Sequence, residues 1–422
     1  MSVRVEQADG AAVSFSPAAL APRKALAAPA ELFSVARMQQ DITFLADESL
    51  AGRGPGTAEL ERAADYIAQQ FKAAGLQPGG DNGSYYQAWQ QQVDALDTRM
   101  TMKNVVAVLP GSDPRHAGQS LVIGAHYDHM GRGEHNGRRE DRGNIHPGAD
   151  DNASGVAVML ELARSLRDNP LPRTLVFIAF TGEETGKLGS RHYVRHTDAY
   201  PADSIIAMLN IDTVGRLENR PLILFGTGTA DEWVHIFRGA GYLTGVPVKT
   251  VADDFGSSDQ TAFIEAGIPA VQFFSGSHAD FHRPGDTPEK LDLDGLTRVA
   301  RVLNETVRHL GERPGPLHST LGGAQSSIPA KYSTARRVSF GTVPDLTYNG
   351  AGVRLDDVRA GTPAQGAGLR TGDIITAVNE APVDGMRAYS EALKQLEPGD
   401  EIRVNFLRDG IEKTLSTHVT ER

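Results

Sequence analysis

The chain has 422 residues, 40% hydrophobic and 23% charged, an ordinary folded-protein composition long enough for more than one domain. A formal net charge of −11 disfavours nucleic acid as a partner, because phosphates call for basic patches. With no cysteine, disulfides, thiolate metal sites and a cysteine nucleophile are excluded, and no run of about 18 apolar residues reads as a membrane span.

Residues 1–32 are Ala- and Pro-rich and predict a loose arm. They lack the basic start and apolar core of an intact signal peptide. From Thr57, TAELERAADYIAQQFKAAG places Leu60, Ala63, Ala64, Ile67, Ala68 and Phe71 on one helical stripe, closed by Gly75. That pattern predicts a packing helix. The runs NVVAVLP, SLVIGAHYDH, RTLVFIAFTGEE, SIIAMLNIDTVG, PLILFGTG and IPAVQFFSG then alternate with helical patterns. They predict an α/β domain, a mostly parallel central sheet flanked by helices. In such sheets ligands bind beyond the carboxyl ends of the strands. Residues 312–336 are rich in Pro, Gly and Ser and read as a linker. Residues 337–422 carry short strands and turns and predict a small, mostly-β domain. The expected division is therefore an arm (1–32), a main domain (33–311), a linker and a C-terminal domain.

Several strand runs end on polar side chains: His126 and Asp128, Glu183 and Glu184, and Asp212. The turn PGADDNASG adds Asp150 and Asp151 before a helix, and HADFHRPGD adds His278, His282 and Asp286. Taken singly, each has an ordinary explanation: a solvated pair of glutamates, or an Asp-Asp-Asn helix cap. Together, at successive strand ends of one sheet, these nitrogen and oxygen donors point to zinc, with Mn2+ or Co2+ as substitutes. His129, His146 and His278 could add a ligand or contact substrate, but read first as solvated loop histidines.

These motifs resemble those of the co-catalytic zinc aminopeptidases, the group that includes bacterial secreted leucyl aminopeptidases and, more distantly, glutamate carboxypeptidase and glutaminyl cyclase. AHYDH, PGADDNASG, TGEETGKLGS, LNIDTVG and DFHRPGDTPEKLD occur in family order, with LADESLAGRGPGT resembling the N-terminal signature. The resemblance implies two Zn2+ ions, one on His126 and Asp212 and one on Glu184 and His282, with Asp151 bridging. It implies a cis peptide between Asp151 and Asn152, and Asp150 as a turn residue. Glu183 would be the general base of a metal-activated water attack on a peptide. Asp128 would fix the His126 imidazole, and Asp286 would do the same near His282. Relatives often carry His where Gln260 stands. A secreted or periplasmic setting is also implied.

The segment TPAQGAGLRTGDIITAVN resembles a PDZ domain. In that family the upstream VSFGTVPD would hold the carboxylate-binding loop, with Phe340 and Gly341 offering N–H groups to the C-terminus of a protein or peptide partner. Glu380 departs from the glycine usual there. The combined expectation is a zinc exopeptidase, an aminopeptidase acting on peptide substrates. The alternatives are a carboxypeptidase, amidase or glutaminyl cyclase on the same fold, or a catalytically dead PDZ-type binding protein.

Overall fold

The computed structural model describes residues 3–6, 12–15 and 32–421, except 117, 135–136, 198–199, 323–336, 346–347 and 349. Met1–Leu32 forms one unit and Phe33–Arg422 another. In the first, read from sequence as a loose arm, β1 (Val3–Glu6) pairs antiparallel with β2 (Ala12–Phe15).

The second unit opens with α1 (Val35–Leu45) and α2 (Ala58–Ala73). The Leu60 N–H donates to Thr57 Oγ1 at 3.2 Å, capping α2, and its six predicted stripe residues are all buried. Nine strands then form one sheet. They are β3 (Gln77–Pro78), β4 (Tyr86–Val93), β5 (Thr98–Leu109), β6 (Ser120–His126), β7 (Thr174–Phe180), β8 (Ile205–Ile211), β9 (Leu222–Phe225), β10 (Val248–Thr250) and β11 (Ala270–Phe274). Their spatial order is β10-β9-β11-β8-β6-β7-β5-β3, with β4 beside β5.

The centre, β11-β8-β6-β7, is parallel, while β5 runs antiparallel to β7 and β9 antiparallel to β11. The sheet is thus mostly parallel, as expected, with antiparallel pairings on either side of the centre. A buried apolar run does not encode strand direction; the connection does. Between β8 and β9 there is no crossover helix, so β9 runs opposite to the parallel centre, and the edge strand β10 runs parallel to β9.

Residues of β6 alternate between two cores. Leu121, Ile123 and Ala125 pack with α1, α2, α3 (Gly155–Leu166), α5 (Trp233–Thr244) and α7 (Leu293–Glu312). Val122 faces the other side, where Tyr193 of α4 (Leu188–Arg195) and Phe263 of α6 (Gln260–Glu265) pack. Covered on both faces, the parallel centre brings the carboxyl ends of β6, β7, β8 and β11 to one edge.

Beyond α7, part of the expected linker is fastened to the main domain. Arg313 Nη2 donates to Glu232 at 2.9 Å, and the His318 N–H donates to the same carboxylate at 2.9 Å. The rest of it, 323–336, lies outside the described residues.

The C-terminal part pairs β12 (Val338–Ser339) with β19 (Thr420–Glu421). Its sheet runs β13 (Thr342–Pro344), β14 (Val353–Val358), β15 (Ile374–Val378), β17 (Glu401–Arg408), β18 (Ile411–His418), with β16 (Ala381–Pro382) on β15. Two helices, α8 (Pro363–Gly366) and α9 (Met386–Lys394), complete it. Phe340, Val353, Ile375, Val404 and Phe406 form its core with Tyr389 and Leu393 of α9. Among the described residues, no helix is long and apolar enough to cross a membrane.

Candidate metal centre

His126 is the last residue of β6, and Asp212 directly follows β8. Glu183 and Glu184 lie in the loop after β7, and His278 and His282 in the loop after β11. Asp151 sits in the tight turn Ala149–Ser154 that leads into α3, and the Asp151–Asn152 peptide is cis, as the resemblance implies.

Asn152 stitches this turn to the end of β8. Its Nδ2 donates to Ile211 O at 2.8 Å, and its Oδ1 accepts from the N–H groups of Gly155 (3.0 Å) and Thr213 (3.3 Å). Asp150 acts in the turn as expected. Its Oδ1 accepts from Gly215 N at 2.5 Å and Ser154 Oγ at 3.1 Å, while Oδ2 faces His278 Nε2 at 3.1 Å.

The two carboxylate oxygens of Asp151 point at different donor sets. Oδ1 lies 3.2 Å from His126 Nε2, and Asp212 Oδ1 is 3.4 Å from that nitrogen. Oδ2 lies 2.9 Å from His282 Nε2, which is 3.4 Å from Glu184 Oε2. Donor atoms around a tetrahedral zinc with bonds of about 2.0–2.1 Å stand about 3.3 Å apart. The donor types and spacings therefore fit a metal on each side of Asp151.

A third imidazole enters the second set. His129 Nδ1 is 2.8 Å from Glu184 Oε1 and 3.8 Å from Asp151 Oδ2. His129, Asp151 and Glu184 thus form a second cluster able to hold a cation, beside His126, Asp151 and Asp212. His282 lies closer to Asp151, whereas His129 grips the other oxygen of Glu184.

Three sequence expectations need correction. His129 and His146 are fully buried and His278 nearly so; none is a solvated loop histidine. They occupy loops, but His129 packs against Gly148, His146 against Gly133, and His278 faces Asp150. Asp128 holds His126 most closely through its backbone carbonyl, 3.1 Å from Nδ1, while its carboxylate Oδ1 stands 3.8 Å from that nitrogen and accepts the Glu183 N–H at 3.2 Å. Asp286 does not hold His282. Its Oδ2 accepts the N–H groups of Asp150 (2.9 Å) and Asp151 (3.0 Å).

Electrostatics follow from packing so many carboxyls together. Burial, reinforced by Glu184 and Asp259 against the pull of His126 and Lys187, pushes the Glu183 carboxyl well above the usual range. Burial pushes Asp128 up to about 7 and Asp259 up to about 6. Burial would also raise Asp151, but hydrogen bonds from His126 and His282 outweigh it and hold that carboxyl well below its ordinary value.

Asp259 is a buried neighbour of the site that the sequence reading passed over, although it adjoins the singled-out Gln260. Gln260 itself is a buried link. Its Oε1 accepts from Asn210 at 3.1 Å, and its Nε2 donates to Gln272 Oε1 at 3.2 Å. Gln272 Nε2 in turn donates to Asp212 Oδ2 at 3.4 Å. A neutral amide chain thus stands behind one candidate ligand.

In the C-terminal part, Gly341 has φ 98°, and a Cβ there would stand 2.1 Å from Thr362 Oγ1, so only glycine fits. Its N–H donates to Ser339 Oγ at 3.3 Å, and the Phe340 carbonyl accepts from Ala364 N at 2.8 Å. Thr342 Oγ1 and Tyr389 Oη, 2.6 Å apart, join β13 to α9.

Residues 104–307 match the family model for Peptidase family M28, and residues 335–419 match that for the PDZ domain. The chain joins an M28 peptidase domain to a PDZ domain. Aminopeptidase YwaD of Bacillus subtilis is 27% identical over 226 residues, covering 50% of this chain and 45% of the relative. Leupeptin-inactivating enzyme 1 of Streptomyces exfoliatus is 28% identical over 292 residues, covering 67% of this chain and 58% of the relative. The chain spans about half the length of the curated relatives it matches.

Among solved structures, an aminopeptidase from Aneurinibacillus sp. strain AM-1 aligns with TM-score 0.53 at 21% identity, over 68% of this chain and 95% of that one. Porphyromonas gingivalis glutaminyl cyclase aligns with TM-score 0.55 at 20% identity, over 66% and 99%. These likenesses establish the fold.

Proposed function

We propose that the protein is a two-zinc aminopeptidase that removes residues from the free N-termini of peptides. The observation that carries this reading is Asp151, whose two oxygens face two separate imidazole–carboxylate sets. His126 and Asp212 would hold one ion and Glu184 and His282 the other, with Mn2+ or Co2+ as substitutes. The names of the relatives support the amino end of the substrate.

Zinc when bound would supply a Lewis acid that acidifies water and stabilises negative charge on the attacked carbonyl oxygen. The protein's own residues do the rest. Glu183, adjacent to Glu184 and outside both donor sets, takes a proton from water and returns it to the leaving amine. A carboxyl biased upward by its surroundings suits both halves of that transfer. Asp128 fixes the backbone from which Glu183 projects. His129 holds Glu184 Oε1, leaving Oε2 toward His282.

The PDZ domain would take a peptide or protein C-terminus at the loop carrying Phe340 and Gly341. A secreted or periplasmic setting completes the reading.

The test is peptide trimming followed by mass spectrometry. The substrates are one peptide with free ends, one N-acetylated and one C-amidated, each with and without chelator. Stepwise loss from the N-terminus, stopped by acetylation and by chelator, is expected. Loss from the C-terminus would make the enzyme a carboxypeptidase. No trimming by protein that carries one zinc, with cyclisation of an N-terminal glutamine, would make it a glutaminyl cyclase.

A further inference from the structure

We propose that Arg53 is a positioning residue that locks together the two ligand-bearing loops before metal arrives. The inference rests on the zinc reading above and concerns a residue outside both donor sets.

The Arg53 side chain is completely buried. Nε donates to Tyr127 O at 2.8 Å, Nη1 to Pro147 O at 2.8 Å and to Leu45 O, and Nη2 to Gly148 O at 2.9 Å. Tyr127 directly follows His126, and Pro147–Gly148 leads into the turn that carries Asp150 and Asp151. One planar fork therefore spans the loop that presents His126 and the turn that presents Asp151.

The main chain beside it continues the seam. The His129 N–H donates to Arg53 O at 3.1 Å, and the Gly131 N–H donates to Gly52 O at 2.9 Å. A Cβ at Gly52 would lie 2.4 Å from Gly131 O and 2.5 Å from His146 O, so the three strands of chain meet with no room to spare.

Each of these partners is a neutral carbonyl. A buried cation is costly without opposite charge. That charge comes from further away: Asp151, Asp128, Asp286 and Glu184 all favour the protonated guanidinium, against a burial effect that draws it down to about 10. In metal-free protein these carboxylates repel one another. Arg53 is thus both the tie between the loops and a fixed countercharge for the carboxylates. Lysine keeps the charge but has no planar fork to reach four carbonyls on three segments.

The test compares metal-free wild type with R53K by hydrogen exchange read by mass spectrometry, and both by zinc competition against a chelator. In R53K the amides of 127–131 and 148–152 are expected to exchange faster while β6 and β7 stay protected. Zinc affinity is expected to fall 10–100-fold, the usual effect of losing a group that orients ligands. Unchanged exchange in both segments together with zinc affinity within about 2-fold of wild type, against that expected 10–100-fold loss, overturns the inference. If wild type binds no zinc, the metal reading fails and the exchange comparison alone decides the role of Arg53. If R53K does not fold, G52A takes its place; it displaces the Arg53 backbone with the guanidinium intact, and the same selective loss of protection is expected.

Discussion

Asp286 accepts the backbone N–H of Asp151 at 3.0 Å across 135 residues of chain, and the N–H of Asp150 with the same oxygen at 2.9 Å. The turn that presents the candidate bridging carboxylate is therefore held from the His282 loop as well as from its own helix and the end of β8. Removing a partner from buried donors costs about 1–3 kcal/mol per donor. D286A is expected to bind zinc 10–100-fold more weakly, as loss of an orienting group usually does. D286N, which keeps a carbonyl acceptor, is expected to lose less. Competition titration against a chelator measures both.

Asp151 is the only candidate ligand with one oxygen toward each donor set among the described residues. D151A is expected to hold less than one zinc per chain after dialysis, whereas D212A and H282A each retain about one. Metal analysis of the dialysed proteins gives the answer. Two ions retained by D151A would show that it does not bridge.

Glu183 stands next to a ligand without being one in this reading. E183Q is expected to keep wild-type zinc content while kcat falls about 10²–10⁴-fold, the usual contribution of a positioned base. Turnover on a chromogenic N-terminal amide substrate, measured beside zinc content, separates this from ligand loss. Full activity in E183Q would remove it from the mechanism.

His192 gives a pH prediction remote from the centre. It stacks on Trp89 at 3.8 Å, and burial, then neighbouring His196, draws its pKa down to about 4. A folded pKa below the unfolded value of about 6.5 means that the neutral form is preferred in the fold. The stabilisation is fully present above pH ~6.5 and is lost as pH falls toward the folded value. H192F keeps a stacking ring without a titrating group. The melting temperature of wild type should drop relative to H192F between those two pH values and run parallel to it above them, in thermal scans with chelator present.

Much of this architecture was legible because local pattern and global packing agree. The α2 stripe from Leu60 to Phe71 is apolar at helical spacing and is buried as that spacing requires. The proposed ligands were legible for a different reason: charged groups stand where apolar strand runs end, which a sheet cannot bury without use. What stayed hidden was set by directions that spacing does not carry. His129 and His146 lie in loops of polar composition, and nothing local reveals that those loops bury them. Asp128 and Asp286 were marked as supporting residues, but which atom each would hold depends on where the backbone points a carboxylate. Arg53 sits in a glycine-rich stretch, and its partners lie 74 and 94 or more residues away for two of the three segments it joins.

The donors that meet around Asp151 come from positions 126 to 282, each delivered by a different strand end or turn. No shorter fragment contains the set, so metal cannot nucleate this fold in the way it organises a small zinc module. A chain emerging from its N-terminus has no complete centre until His282 has been made and β11 has taken its place beside β8. In the proposed reading the enzyme would be inactive until then, and tight zinc uptake would report that the strand ends from β6 to β11 have come together.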